Sequence, residues 1–236
     1  MQSFLTIPLV SLVMLVSAPK INNGPINKTT VQEKGWTNLF DGKTLKGWHI
    51  YGNRPMNESW SVQDGAIFFD KTKKATGDLV TDKEYENFHL KYDWKISPTG
   101  NSGVIFWLQE DTVKYKQTYH TGPEMQVLDN DGHKDGKILK HRAGNLYDLI
   151  EGKEGAVKPV GEWNTAEIIS NKGRLEFILN GVSVVTTAFG DDNWRTMVAG
   201  SKFKQWPDFG KIFKGKIGLQ NHDSDVWFKN IKIKQL

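Results

Sequence analysis

The sequence predicts an all-β fold, an antiparallel β-sandwich of jelly-roll type, and three observations lead there. Phe88, Leu90, Tyr92, Trp94 and Ile96 alternate with His89, Lys91, Asp93 and Lys95, the period of a strand with one buried face. Arg174 to Leu179 repeats the alternation and runs into Asn180-Gly181, residues suited to the positive φ angles of a tight hairpin, before Val182 to Thr187. No segment keeps an amphipathic helical period over three turns, and no βαβ alternation is visible. Two facing antiparallel sheets are the economical way to bury such strands.

In chain order, the remaining strand segments are Trp60 to Phe69, Leu79 to Thr81, Gly103 to Gln109, Glu124 to Asp129, Trp163 to Ile169, Lys216 to Gln220 and Val226 to Lys234. About ten strands result, separated by turn residues. One short helix is expected over Asp192 to Val198, opened by a carboxylate cap. Residues 35–236 form a single domain in this reading. Ahead of it, the apolar run Phe4 to Val16 and the small residues Val16-Ser17-Ala18 read as a signal peptide over residues 1–18, followed by a polar linker over 19–34. The protein is therefore expected to be exported, to the periplasm or beyond the cell, without stable membrane insertion once the signal is removed.

The net charge of +4 comes from 31 basic and 27 acidic residues mixed along the chain. With no basic block or arm, nucleic-acid binding gets little support. Nine Trp and twelve Phe leave aromatic rings over for a sugar site after the core is filled. The absence of cysteine excludes disulfides, thiol catalysis and thiolate metal cages. HExxH, GxSxG, Walker and GxGxxG motifs are absent, which removes the usual support for metalloprotease, serine hydrolase and nucleotide-dependent chemistry.

Candidate site residues follow from strand periodicity. Glu124, Gln126 and Leu128 share one face, with Met125, Val127 and Asp129 on the other. Asn101, Gly103, Ile105 and Trp107 share a face of the preceding strand, while Val104, Phe106 and Leu108 look like core. Gln220 and His222 project together near the C-terminus. Glu124 is a candidate general base, although an isolated glutamate is usually a surface carboxylate. For His222, a catalytic role and a hydrogen-bonded loop histidine weigh equally. Trp107 and Trp206 are candidates for stacking on a sugar ring, against the commoner role of core or rim. His133 lies in Asp129-Asn-Asp-Gly-His-Lys-Asp135, a loop whose oxygens offer a weak Ca²⁺ site, so a divalent metal is possible and no cofactor is certain.

Eight pieces occur in order: Trp36-Thr-Asn-Leu-Phe-Asp-Gly42, Asn101-Ser-Gly103, Gly122-Pro-Glu-Met-Gln-Val-Leu-Asp129, Ala143-Gly144 with Leu146-Tyr147-Asp148, Gly161-Glu-Trp-Asn164, Asn180-Gly181, Ser201-Lys-Phe203 and Gly218-Leu-Gln-Asn-His222. Together they resemble the 3-keto-disaccharide hydrolase family over Gly35 to Leu236. The resemblance implies a concanavalin A-like sandwich, an oligosaccharide or glycoside substrate, and site roles for Glu124, Gln126 and His222. Tyr147 and Lys202, inside two of the pieces, join Asn101, Trp107, Gln126, His133, Trp206 and Gln220 as expected substrate-binding residues. The chain departs from the family at Trp107, where an Arg is common, and at Phe177, where a His is frequent.

Glucanases on related sandwiches often carry carboxylates two residues apart as Glu-x-Asp-x-Glu. Here that ladder reads Glu124, Gln126, Leu128, and the second carboxylate is missing. A 3-keto sugar needs only one base to remove the C2 proton and expel the C1 substituent. Either Glu124 or His222 fills that role, with Gln126, Asn101 and Lys202 holding hydroxyls or an enolate oxygen. A divalent ion polarising the ketone is an alternative. The competing expectations are a non-catalytic carbohydrate-binding module and a conventional glycosidase with its carboxylates on separate strands.

Overall fold

The computed structural model describes residue 1 and residues 34–236. The expected signal peptide and almost all of the linker lie outside the described residues. Thirteen strands are present among the described residues: β1 Trp36–Asn38, β2 Trp48–Ile50, β3 Trp60–Gln63, β4 Ala66–Phe69, β5 Leu79–Thr81, β6 Phe88–Ile96, β7 Asn101–Leu108, β8 Glu124–Leu128, β9 Asn164–Asn171, β10 Arg174–Leu179, β11 Val182–Ala188, β12 Lys216–Leu219 and β13 Val226–Gln235. One helix, α1, spans Asp192–Ala199 and is capped by Asp191, whose carboxylate accepts the Trp194 N–H at 2.8 Å.

The strands form two antiparallel sheets. The larger runs β11-β10-β9-β6-β13-β4-β3, with β1 also paired to β13; the smaller runs β2-β5-β12-β7-β8. β6 buries every second residue, as its alternation requires. Its Phe88, Leu90, Tyr92, Trp94 and Ile96 meet Val104 and Phe106 of β7 and Met125 and Val127 of β8 in one core. The ring centroids of Phe88 and Phe106 are 6.4 Å apart, and those of Phe106 and Phe177 are 5.8 Å apart.

The segment Trp60 to Phe69, expected as one strand, is instead the hairpin β3–β4. Asp64 and Gly65 turn it with φ angles of 51° and 75°, the conformation an Asp-Gly pair accepts most readily.

β7 and β8 do not alternate in burial. All eight residues of β7 and all five of β8 are buried. One side faces the core, and the other is covered by loops instead of water. Trp107 is where the periodic reading fails. β12 advances two residues, from Lys216 to Gly218, while β7 advances three between their partners Leu108 and Ile105. The extra residue makes a bulge, with Trp107 at φ 57°. Trp107 therefore joins Phe106 inside, fully buried against Phe189 and Phe213 at 4.7 and 5.3 Å. It is a core residue and not a sugar platform. Phe177, the other departure from the family pattern, is also fully buried in the core. Trp107→Ala is expected to cost about 3–5 kcal/mol in urea unfolding.

Candidate functional site

The covered face of the smaller sheet holds a cavity of about 240 Å³ lined by Asn101, Tyr119, Glu124, Gln126, Tyr147, Lys202, Phe203, Trp206, Gln220 and His222. Strand pairing assembles its floor. Gly103 lies opposite Gln126 and Ile105 opposite Glu124. Gln220 donates its N–H to the Gly103 carbonyl at 2.9 Å, which extends β12 alongside. Glu124 and Gln126 share the cavity side, while Met125 and Val127 enter the core, as the period of two requires. Leu128, expected beside Glu124, packs into the core instead.

A loop laid along the free edge of β8 brings the next wall. Gly144 N–H donates to the Gln126 carbonyl at 2.9 Å, Gln126 N–H to Asn145 O at 3.1 Å, and Tyr147 N–H to Glu124 O at 3.0 Å. Tyr147 thus stands beside Glu124. Its hydroxyl donates to Asp135 Oδ2 at 3.1 Å and accepts from Lys202 Nζ at 2.9 Å. Asp148 fixes the lysine's backbone: Oδ2 accepts the Lys202 N–H at 2.9 Å, and Oδ1 lies 2.9 Å from His141 Nε2.

Glu124 is 4% exposed. Burial pushes its carboxyl up to about 8, against the opposing pull of the Lys202 charge. Gln220 Nε2 donates to Glu124 Oε2 at a long 3.4 Å. Burial lowers the Lys202 ammonium below its ordinary value, partly offset by Glu124 and Asp148. Burial, with the charges of Glu124 and Asp135, raises the Tyr147 phenol. Asn101 Oδ1 is buried without a hydrogen-bond partner, an acceptor left open at the cavity wall. A Cβ at position 103 would stand 2.5 Å from Glu124 Cδ and 2.6 Å from its Cγ, so any side chain there would displace the carboxylate.

Of the ten residues expected at the site, eight line this cavity: Asn101, Glu124, Gln126, Tyr147, Lys202, Trp206, Gln220 and His222. His222 is exposed at the rim. Besides Trp107, His133 falls outside the lining. Its Nδ1 accepts the Asp135 N–H at 3.2 Å, capping the 3-10 turn Lys134–Lys137, and its ring centroid lies 6.4 Å from that of His222. Several side-chain oxygens of the surrounding loop already hold backbone groups. Asp129 accepts N–H groups of Thr99, Asp131 and Gly132, and Asn130 Oδ1 accepts that of Ala143. Among the described residues, no group of three or more His, Asp or Glu is arranged to hold a metal ion.

Sequence reasoning missed Tyr119 and Asp78. Tyr119 comes from the 3-10 turn Thr118–His120 and meets Trp206 edge-on at 5.3 Å, while His120 stacks on the same indole at 5.0 Å. Asp78 is a buried carboxyl just before β5. Its Oδ2 accepts the Thr118 hydroxyl, and its Oδ1 accepts the Asn221 N–H at 2.8 Å. It thereby ties the Tyr119 turn to the His222 loop. Burial raises its pKa. An Asp ahead of a short apolar strand reads as a turn residue, and nothing else in the sequence marks it.

Known proteins agree with this architecture. A crystal structure of a candidate glycosyl hydrolase from Parabacteroides distasonis superimposes with a TM-score of 0.79 at 36% identity, covering 86% of this chain and 94% of that one. The carbohydrate-binding module CBM66 from Bacillus subtilis shares the fold alone, at 14% identity and TM-score 0.51, covering 80% of this chain and 96% of that one. A Bacteroides thetaiotaomicron protein named 3-keto-disaccharide hydrolase is 36% identical over 232 residues, covering 87% of this chain and 80% of the relative. The model of the 3-keto-alpha-glucoside-1,2-lyase-like domain matches residues 35–234. With nearly the whole described chain matched, the protein belongs to the 3-keto-alpha-glucoside-1,2-lyase-like family.

Proposed function

We propose that this protein is an exported enzyme that cleaves 3-keto-glycosides, 3-keto-disaccharides among them, by elimination followed by hydration. The observation that carries the reading is a single buried carboxyl, Glu124, sharing a ring-sized cavity with a single ammonium, Lys202. The named relative supports the substrate class. The apolar run Phe4 to Val16 supports export.

A ketone at C3 acidifies the hydrogen on C2. In its ionised form Glu124 takes that proton, and the C2–H electrons pass toward C3, leaving an enolate oxygen. Lys202 and the side-chain amides of Gln126 and Gln220 stabilise this oxygen and the neighbouring hydroxyls. As the ketone reforms, the C1–O bond breaks and a C1–C2 double bond remains. The departing oxygen takes a proton from His222 at the rim. Water then adds its oxygen to C1, giving a proton back to His222, while Glu124 returns its proton to C2. The sum is hydrolysis of the glycoside.

Matched glucosides with and without the 3-keto group test the reading. Cleavage of the oxidised sugar alone is expected. Equal cleavage of both would indicate a conventional glycosidase, and binding without turnover a carbohydrate-binding module. Lys202→Met is expected to lower kcat on the oxidised sugar about 100-fold. It should also move the midpoint of the pH–rate profile upward, because the lost cation helps hold Glu124 ionised.

A further inference from the structure

The catalytic cavity, at about 240 Å³, is smaller than pockets that enclose a drug-sized ligand. The group attached at C1 must therefore extend past its rim. Trp206 forms part of that rim and also walls a second cavity of about 300 Å³. The second cavity is apolar along Trp194, Val198, Pro207 and Phe209.

Its mouth is cationic. Arg195 is already engaged, by Asp192 and by the Gly190 carbonyl. Lys204 and Lys211 also line the cavity, and neither has a carboxylate within 4 Å among the described residues. The neighbouring acid, Asp208, is turned to Lys114 at 2.7 Å and to the Tyr115 hydroxyl at 2.8 Å. Lys211 acts on Asp208 only through space, and two ammonium groups without a close carboxylate beside apolar walls complement an aromatic body with an acidic substituent.

We infer that this second cavity is the leaving-group subsite, and that it selects 3-keto-glycosides whose C1 substituent is an aromatic acid. The inference rests on the function proposed above. Trp206 is the shared wall: the oxidised ring sits on its catalytic side and the aromatic leaving group beyond it. An aromatic ring there packs against Trp194 and Phe209, and its carboxylate meets Lys204 and Lys211.

The test uses three 3-keto-glucosides with methyl, phenyl and 4-carboxyphenyl groups at C1. For each substrate, the ratio of variant to wild-type kcat/KM cancels the intrinsic reactivity of the leaving group. Ala199→Trp fills the slot from an exposed position. It is expected to lower kcat/KM about tenfold for both aryl substrates and to leave the methyl glucoside unchanged. The double change Lys204→Glu and Lys211→Glu should lower kcat/KM about tenfold for the 4-carboxyphenyl substrate alone. Ratios that shift alike for all three substrates, or for none, would overturn the subsite. If the wild-type enzyme cleaves none of the three, the function proposed above fails and the subsite falls with it.

Discussion

Glu124→Gln is expected to abolish turnover of the 3-keto-glycoside and to make the protein more stable, increasingly so as the pH rises. The ordinary Glu value of 4.5 rises to about 8 in the folded protein. Between those values the unfolded chain has released the proton that the folded chain still holds. Raising the pH through this window therefore disfavours folding. The penalty is absent below pH 4.5, grows across the window and is complete above pH 8, where it amounts to roughly 5 kcal/mol. Gln keeps the shape without the charge. At pH 5 the Tm values of the two proteins should nearly coincide, and at pH 9 the variant should melt roughly 10 °C higher. Wild-type kcat/KM should rise with pH through about 8, as the base form appears. A Tm difference that stays flat with pH would remove the buried charge from the account. Wild-type activity in the variant would remove Glu124 as the base.

Gly103→Ala is the second large effect. The new methyl would sit where the Glu124 side chain now lies, 2.5 Å from its Cδ, with the β7–β8 pairing behind it. The carboxylate must move, and a displacement of about 1 Å at a reacting group costs on the order of 100-fold in rate. Crowding adds about 1–3 kcal/mol of destabilisation. A crystal structure of the variant should show Glu124 rotated away from Gln220, and its kcat should fall more than its KM rises. Unchanged kcat with an unmoved carboxylate would mean that the proton is taken elsewhere in the cavity.

The sequence made parts of this molecule legible where one local rule governs. β6 and β10 were readable to both ends because one face of each is buried and the other is not. Glu124 with Gln126, and Gln220 with His222, were readable as pairs two residues apart. Three-residue strands such as β1 and β2 are too short to show a period. Trp107 was misread because a bulge changes the face without changing the residue pattern. Tyr119 and Asp78 reach the site through contacts distant in sequence: Asp78 touches Thr118, 40 residues later, and Asn221, 143 residues later. No local pattern encodes such a meeting.

The place of β13 in the larger sheet sets the order in which the protein can be built. Residues 226–235 lie between β6 and β4, and β1 pairs with their far end through Trp36–Lys234 and Asn38–Lys232. Every other strand of that sheet precedes them in the chain. Until they are available, β11-β10-β9-β6 and β4-β3 are separate pieces with exposed edges. Native pairing must then join residues about 200 positions apart, a topology that folds slowly. The sheet closes only when its latest strand arrives at its centre, so a chain emerging from the ribosome, N-terminus first, keeps it open until residues 226–235 have emerged.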